Sequence, residues 1–375
     1  EVRSRRKSGS AMATSDATTA SPSAAELQSS EAETKRRPRL FYLDLIRAIA
    51  AVLIVITHYN NPFLQSHPVF INEPFGIYIG NLGVSLFLII SGAALMYNHG
   101  GVKKLELKSF YWKRFKTLYP MFWIAFIVAN AFLFLRAGGN PHPGVPKENI
   151  IFSILGVDGL LANAAIPTFY TLGEWFLGFI IIFYLVFPLL RWGVKNYPIP
   201  TLLIIAALYI AMLLLNSNVI GYLPKAVILT TRLPELAFGM YFTQYIKRIP
   251  WPVALVSLLF LVVQEIHPLL VDDLGTTFVG IAAFMLLVYT SRFVDYQPVR
   301  VPVKSISRYS YPIFLVHHVV IIQIFNFINP TSLSASAAYL LFFADFTIIM
   351  VFSVILYRVN KSTLAYIRSM FVAEQ

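Results

Sequence analysis

The chain has 375 residues, 57% of them hydrophobic and only 13% charged, with a mean hydropathy of +0.67; an ordinary water-soluble domain is roughly 45–50% apolar. This composition argues against a soluble globular domain and for a polytopic membrane protein. The net charge of +12 would suit nucleic acid only if the basic residues gathered on a water-exposed face, and the absence of cysteine leaves neither disulfides nor thiolate metal sites.

Residues 1–40 are rich in Ser, Ala, Thr and Glu and hold no apolar run, which predicts a disordered cytoplasmic tail. Its first dozen residues open without Met and are set aside from fold reasoning as a candidate expression scar. From residue 41 the apolar runs recur at the roughly 17–25 residues needed to cross about 30 Å of hydrocarbon. They fall at 42–60, 75–97, 117–136, 169–191, 199–216, 222–246, 251–266, 274–291, 306–328 and 336–358. The segment 151–162, broken by "GVDG", is short for a span and is expected to be re-entrant.

Ten crossings place both termini on one side, and the positions of Lys and Arg test that arrangement. The tail, the 98–116 loop, Arg191 with Lys195, Lys247 with Arg248, the group from Arg292 to Arg308, and Arg358, Lys361 and Arg368 all fall on the cytoplasmic side. The intervening loops 61–74, 265–273 and 329–335 carry no Lys or Arg, and 137–149 carries only Lys147. The expected fold is therefore all-α: a transmembrane bundle of about ten helices over 41–358, with both termini cytoplasmic and 359–375 as a short tail too small to bury a core. The positive charge is then a topology signal, and nucleic-acid binding loses its support.

The first helix, "YLDLIRAIAAVLIVITHY" at 42–59, is long enough to span yet carries Asp44, Arg47 and His58. Arg47 and His58 are close to three full turns apart, so they share a face about 16 Å apart along the axis, and Asp44 joins it. Ionisable groups cost at least ~2.5–3.5 kcal/mol in lipid on insertion scales, so this face should meet protein or water. Asp44 and Arg47 can also be explained by snorkelling to the inner interface, and His58 by a structural bond to a neighbouring helix.

Arg47, ten intervening residues and His58 resemble the first-helix motif of acyltransferase family 3, integral membrane O-acyltransferases that modify bacterial surface sugars. The resemblance extends through "GVSLFLIISG" (83–92), "RFKTLYP" (114–120), "WFLGFIIIFYLVFPLL" (175–190), "TRLPELAFGM" (231–240) and "SRYSYPIFLVHH" (307–318), covering nearly all of 41–358. Two positions depart from the family. Thr117 stands beside Lys116 where a second arginine is usual in the third-helix motif, and Ile180 stands where many members carry Glu in the fourth helix, the nearest carboxylate being Glu174.

The resemblance implies transfer of an acyl group, expected to be acetyl, from cytoplasmic acyl-coenzyme A to a hydroxyl of a cell-surface or lipid-linked saccharide, with no metal. Such chemistry needs cations for the donor's phosphates and a base for the hydroxyl proton. Arg114 with Lys113 and Lys116, together with Asp44, Arg47 and Ser91, are the candidate donor-binding residues, although positive-inside bias and helix packing account for the same residue types. His58 is the essential histidine by resemblance, acting as base or as transient acyl carrier. His317 and Glu174 are further catalytic candidates, and Trp175, Arg232 and His318 are candidates for the acceptor site. For each of these a packing role or an internal ion pair, such as Arg232 with Glu235, is the structural alternative. Asp345 in the last span lacks an evident partner in sequence. The rival function is a transporter or flippase for a saccharide or lipid-linked saccharide, since ten spans with internal Arg, His and Asp also suit a carrier. Either would be a multi-pass protein of the plasma membrane, in bacteria the inner membrane.

Overall fold

Each long apolar run folds as a helix whose ends are set by local backbone chemistry. The computed structural model describes residues 38–63, 67–172, 175–215 and 222–372; the tail expected at 1–40 lies almost wholly outside them. From Leu40 onward the described chain is helical, with no strand. In order the helices are α1 Phe41–Asn60, α2 Ile79–His99, α3 Leu107–Ala137, α4 Ile150–Leu155, α5 Asp158–Ala162 and α6 Phe176–Asn196. There follow α7 Pro198–Leu214, α8 Leu229–Tyr241 with a π-turn to Ile246, α9 Trp251–Ile266, α10 Asp272–Ser291, α11 Gln297–Phe327 and α12 Ala335–Val372. Helices α7, α9 and α11 carry Pro in their first two positions, where the missing N–H has no helical partner to lose. Helix α3 stops at Gly138, whose φ of 63° turns its N–H back onto the carbonyls of Phe134 and Leu135.

Seven of the described helices, α1, α2, α3, α6, α10, α11 and α12, are long and apolar enough to cross a membrane. Helices α7 and α9 are apolar but shorter, and α8 carries Arg232 and Glu235 within 13 residues. Helix ends differ from those read by hydropathy. α3 starts at Leu107 instead of 117, α11 at Gln297 instead of 306, and α12 continues to Val372 past 358. An apolar run marks the part of a helix that suits lipid, whereas the backbone ladder continues into polar sequence until a breaker stops it. The 151–162 segment forms the short pair α4 and α5, with Tyr119 donating to the Leu155 carbonyl and Trp123 to that of Ile154. It folds back against α3 and the first turn of α6, where Gly178 meets Leu160.

Side-chain contacts fix the relative directions of the helices. Gly80 lies beside Thr57 and Gly83 beside Ile54, so α1 and α2 are antiparallel. α8 runs parallel to α2: Ser85 bonds Glu235 at 2.7 Å and, further along both helices, Thr243 donates to the Ala93 carbonyl at 3.1 Å. Stacking of Phe110 on Phe187 near the start of α3 and the end of α6 makes that pair antiparallel. Tyr309 against Tyr357 does the same for α11 and α12.

The closest approach is between α2 and α8. A Cβ at Gly92 would lie 2.0 Å from the Leu236 carbonyl oxygen, and one at Gly239 would lie 1.9 Å from that of Ile89. With lipid on the outside, packing of this kind carries helix association, because apolar surface gains little by leaving lipid. Gly239→Ala is therefore expected to force the two backbones apart and lower the thermal midpoint in detergent, a cost of at least ~1–3 kcal/mol. Leu214→Ala, at a position 80% exposed, should change stability by less than ~0.5 kcal/mol. Equal midpoints for the two variants would contradict this packing.

Candidate active site

Two helices far apart in sequence build the centre of the site. Asp44 in the first turn of α1 is only 2% exposed and accepts a hydrogen bond of 2.8 Å from the Ser307 hydroxyl on α11. Its carboxylate also lies 3.8 Å from the Arg47 guanidinium, which is 29% exposed. Further along the same two helices, the His58 ring lies 5.0 Å from His317 and 5.2 Å from His318 between centroids, the latter edge to face. α1 and α11 thus run parallel, pinned by a carboxylate–hydroxyl bond at one end and three imidazoles at the other.

The neighbours of His317 set its tautomer. Nδ1 lies 3.0 Å from the Ile313 carbonyl oxygen and 2.9 Å from that of Phe314. Carbonyls only accept, so Nδ1 carries a hydrogen, and in the neutral ring the lone pair is on Nε2. His317 is fully buried, while His58 and His318 are half-buried. The described residues contain no group of three or more His, Asp or Glu arranged to hold a metal ion.

On the arginine side, Arg114 lies over the rings of Phe110 at 5.6 Å and Tyr184 at 5.7 Å. Its buried Nε has no hydrogen-bond partner among the described residues. Arg47 and Arg114 both act electrostatically on the Tyr184 phenol. Aromatic side chains continue from there toward the histidines. Tyr311 donates to the Leu118 carbonyl at 2.9 Å and stacks on Phe314, which in turn packs against Phe176 and the His317 ring. Half-buried Trp175 meets Phe179 edge to face at 5.6 Å.

Other expected site residues sit elsewhere or are engaged locally. Lys116 covers the Trp112 ring at 5.4 Å, and Lys113 is exposed. Ser91 donates to the Phe87 carbonyl within α2, and its neighbour Gly92 serves the contact with α8. Arg232, 1% exposed, donates to the Ala226 carbonyl and to Glu235 at 3.0 Å, and Glu235 also accepts from Ser85. That is the internal ion pair. Asp345 is fully buried with no hydrogen-bond partner among the described residues. Glu174 lies outside the described residues. Sequence reasoning passed over Ser307 and Tyr184; a lone polar residue in an apolar helix was the only available signal for Tyr184.

The acyltransferase domain of acyltransferase family 3 matches residues 40–358. The chain belongs to this family. A curated relative, the acyltransferase MdmB of Streptomyces mycarofaciens, is 26% identical over 121 residues. That alignment covers 32% of this chain and 31% of the relative, so it spans about a third of that protein. No solved structure matches the chain.

In this family member, bonding and exposure distinguish the buried cations from the more exposed ones. Arg232 is saturated by a carboxylate and a carbonyl, and Arg191 by the carbonyls of His99 and Val102, which ties down the loop after α2. Arg47 is part exposed beside the Asp44 carboxylate, and Arg114 faces rings. Replacing Arg232 by Met strands a buried carboxylate, so a loss of ~3–5 kcal/mol in stability is expected before any change in substrate use. A folded Arg232→Met protein with wild-type thermal midpoint and a raised KM would instead put Arg232 in the site wall.

Proposed function

We propose that this family 3 member is a ten-crossing membrane O-acyltransferase with both termini in the cytoplasm, moving a short acyl group from cytoplasmic acyl-coenzyme A to a saccharide hydroxyl at or beyond the outer face. The helix directions support that topology. Among the helices whose contacts fix a direction, α1 and α11 run one way and α2, α8 and α12 the other, with α3 opposite to α6, which agrees with the clustering of Lys and Arg on one side.

The observation that carries the reading is the cluster of three imidazoles, one turn-length beyond an aromatic corridor whose other end holds Arg47 and Arg114. The donor's phosphates bind the two arginines, with Lys113 and Lys116 drawing the anion to the mouth. The pantetheine arm extends along Tyr184, Tyr311 and Phe314, covering the roughly 16 Å that separates Arg47 from His58 on one helix face. The acceptor oxygen attacks the thioester carbonyl carbon as His58 takes the hydroxyl proton, with His317 beside it as a second base. The new C–O bond replaces the C–S bond, and the proton ends on the departing thiolate. Transfer by way of an acyl-imidazole gives the same overall balance.

Purified protein in detergent with radiolabelled acetyl-coenzyme A and candidate saccharides tests this. Label transfer is expected in the wild type and should fall ~10²–10⁴-fold in His58→Ala, the usual worth of a general base. Arg47→Ala and Arg114→Ala should each raise the donor KM about 10–150-fold, the loss of one charged hydrogen-bonding group. Saccharide flux into liposomes that survives His58→Ala, without label transfer, would make the protein a carrier.

A further inference from the structure

A small, partly open space that the sequence did not single out lies about one helical turn from the α11 histidines. It is lined by Phe122 of α3, Asp158 of α5, Tyr170, Leu172, Leu177 of α6, and Phe314 and Leu315 of α11. Phe314 precedes His318 by one turn, on the side toward Ser307, and its ring lies 6.3 Å from that of His317. The space for the centre of a water-sized sphere is about 10 Å³, room for roughly one water or one methyl group.

The chemistry of the walls is as informative as the size. The carbon side chains present an apolar surface suited to an alkyl end. Asp158 is 6% exposed, and both of its carboxylate oxygens are occupied: Oδ1 accepts from the Gly159 N–H at 3.0 Å and Oδ2 from the Ser153 hydroxyl at 3.3 Å. A chain that outgrew the cavity would press methylenes against this hydrogen-bonded carboxylate or push the packed rings of α3 and α11 off their contacts. Either is costly, because a well-packed interior does not stretch by a methylene without strain.

We infer that this cavity receives the methyl end of the donor's acyl group, with Leu172, Leu177, Phe122 and Asp158 acting as a ruler that admits acetyl and rejects longer chains. The inference rests on the acyl-transfer reading above and adds the residues that select the donor. The α4–α5 pair then has a function beyond filling the space outside α3: it brings Asp158 to the far wall of the acyl site.

The test compares kcat/KM for acetyl-, propionyl-, butyryl- and hexanoyl-coenzyme A with one acceptor. One methylene in a fitted pocket is worth about 10–200-fold. The wild type should therefore lose at least about 10-fold per added methylene beyond acetyl. Leu177→Ala should raise the butyryl-to-acetyl ratio by about 10-fold or more. Phe122→Leu, a milder opening, should raise it in the same direction and decides the matter if Leu177→Ala does not fold. Wild-type protein that uses hexanoyl and acetyl donors alike overturns the ruler, as does an unmoved ratio in folded variants that still transfer acetyl. Wild-type protein that transfers no acyl group from any donor overturns the acyl-transfer reading itself.

Discussion

The parallel pairing of α1 with α11 is the constraint on which the candidate site depends. Both helices carry ionisable groups that an apolar environment penalises unless they are paired or hydrated. Asp44 meets that demand through Ser307 and Arg47, and in doing so fixes the register of one helix against the other. Each helix rises 1.5 Å per residue, so holding Asp44 against Ser307 sets the register of the residues that follow, across Pro312 inside α11. His58 then lands between His317 and His318 as a consequence of where Asp44 is held. Arg47 and His58 are set at a constant separation by the helix that bears both.

Around this pair the bundle divides its buried polar groups into two kinds. Arg232 with Glu235 and Ser85, and Arg191 with the carbonyls of the loop after α2, are closed sets that hold helices and loops together. The imidazole cluster and Arg114 beside Tyr184 keep half-buried members among aromatic walls. A cation saturated by carboxylate and carbonyl has nothing left to offer a phosphate. The tight glycine contact between α2 and α8 anchors one side of the bundle, leaving α1, α3, α6 and α11 to surround the corridor.

Much of this was legible in the sequence, and for definite reasons. Arg47 and His58 stand out because a charged residue in an apolar helix has few uses, and helical periodicity puts them on one face. The histidine pair at the end of "PIFLVHH" was visible for the same reason, and the expectation of a folded-back segment at 151–162 came from its length and its "GVDG" break. What could not be read was pairing across long separations. Ser307 meets Asp44 across 263 positions, and an ordinary serine inside a helix carries no mark of that. Ser91 stands in the sequence as a donor-binding candidate, yet it bonds the Phe87 carbonyl, and beside it the backbone of α8 fills the space that Gly92 leaves. Arg232 has the residue type of a site wall but is fully bonded to its own helix and the turn before it. Asp158 lies within the "GVDG" break, and it comes to line one space with Phe314 only once α5 has packed on α6.

The most direct test of the account is an experimental structure of the full chain with a non-reactive thioether analogue of acetyl-coenzyme A. The account predicts the analogue's phosphates against Arg47 and Arg114, its arm along Tyr184 and Tyr311, and its carbonyl within hydrogen-bonding reach of the His58 or His317 imidazole. An analogue bound with its sulfur remote from all three histidines, or lodged outside the space between α1 and α11, would contradict it.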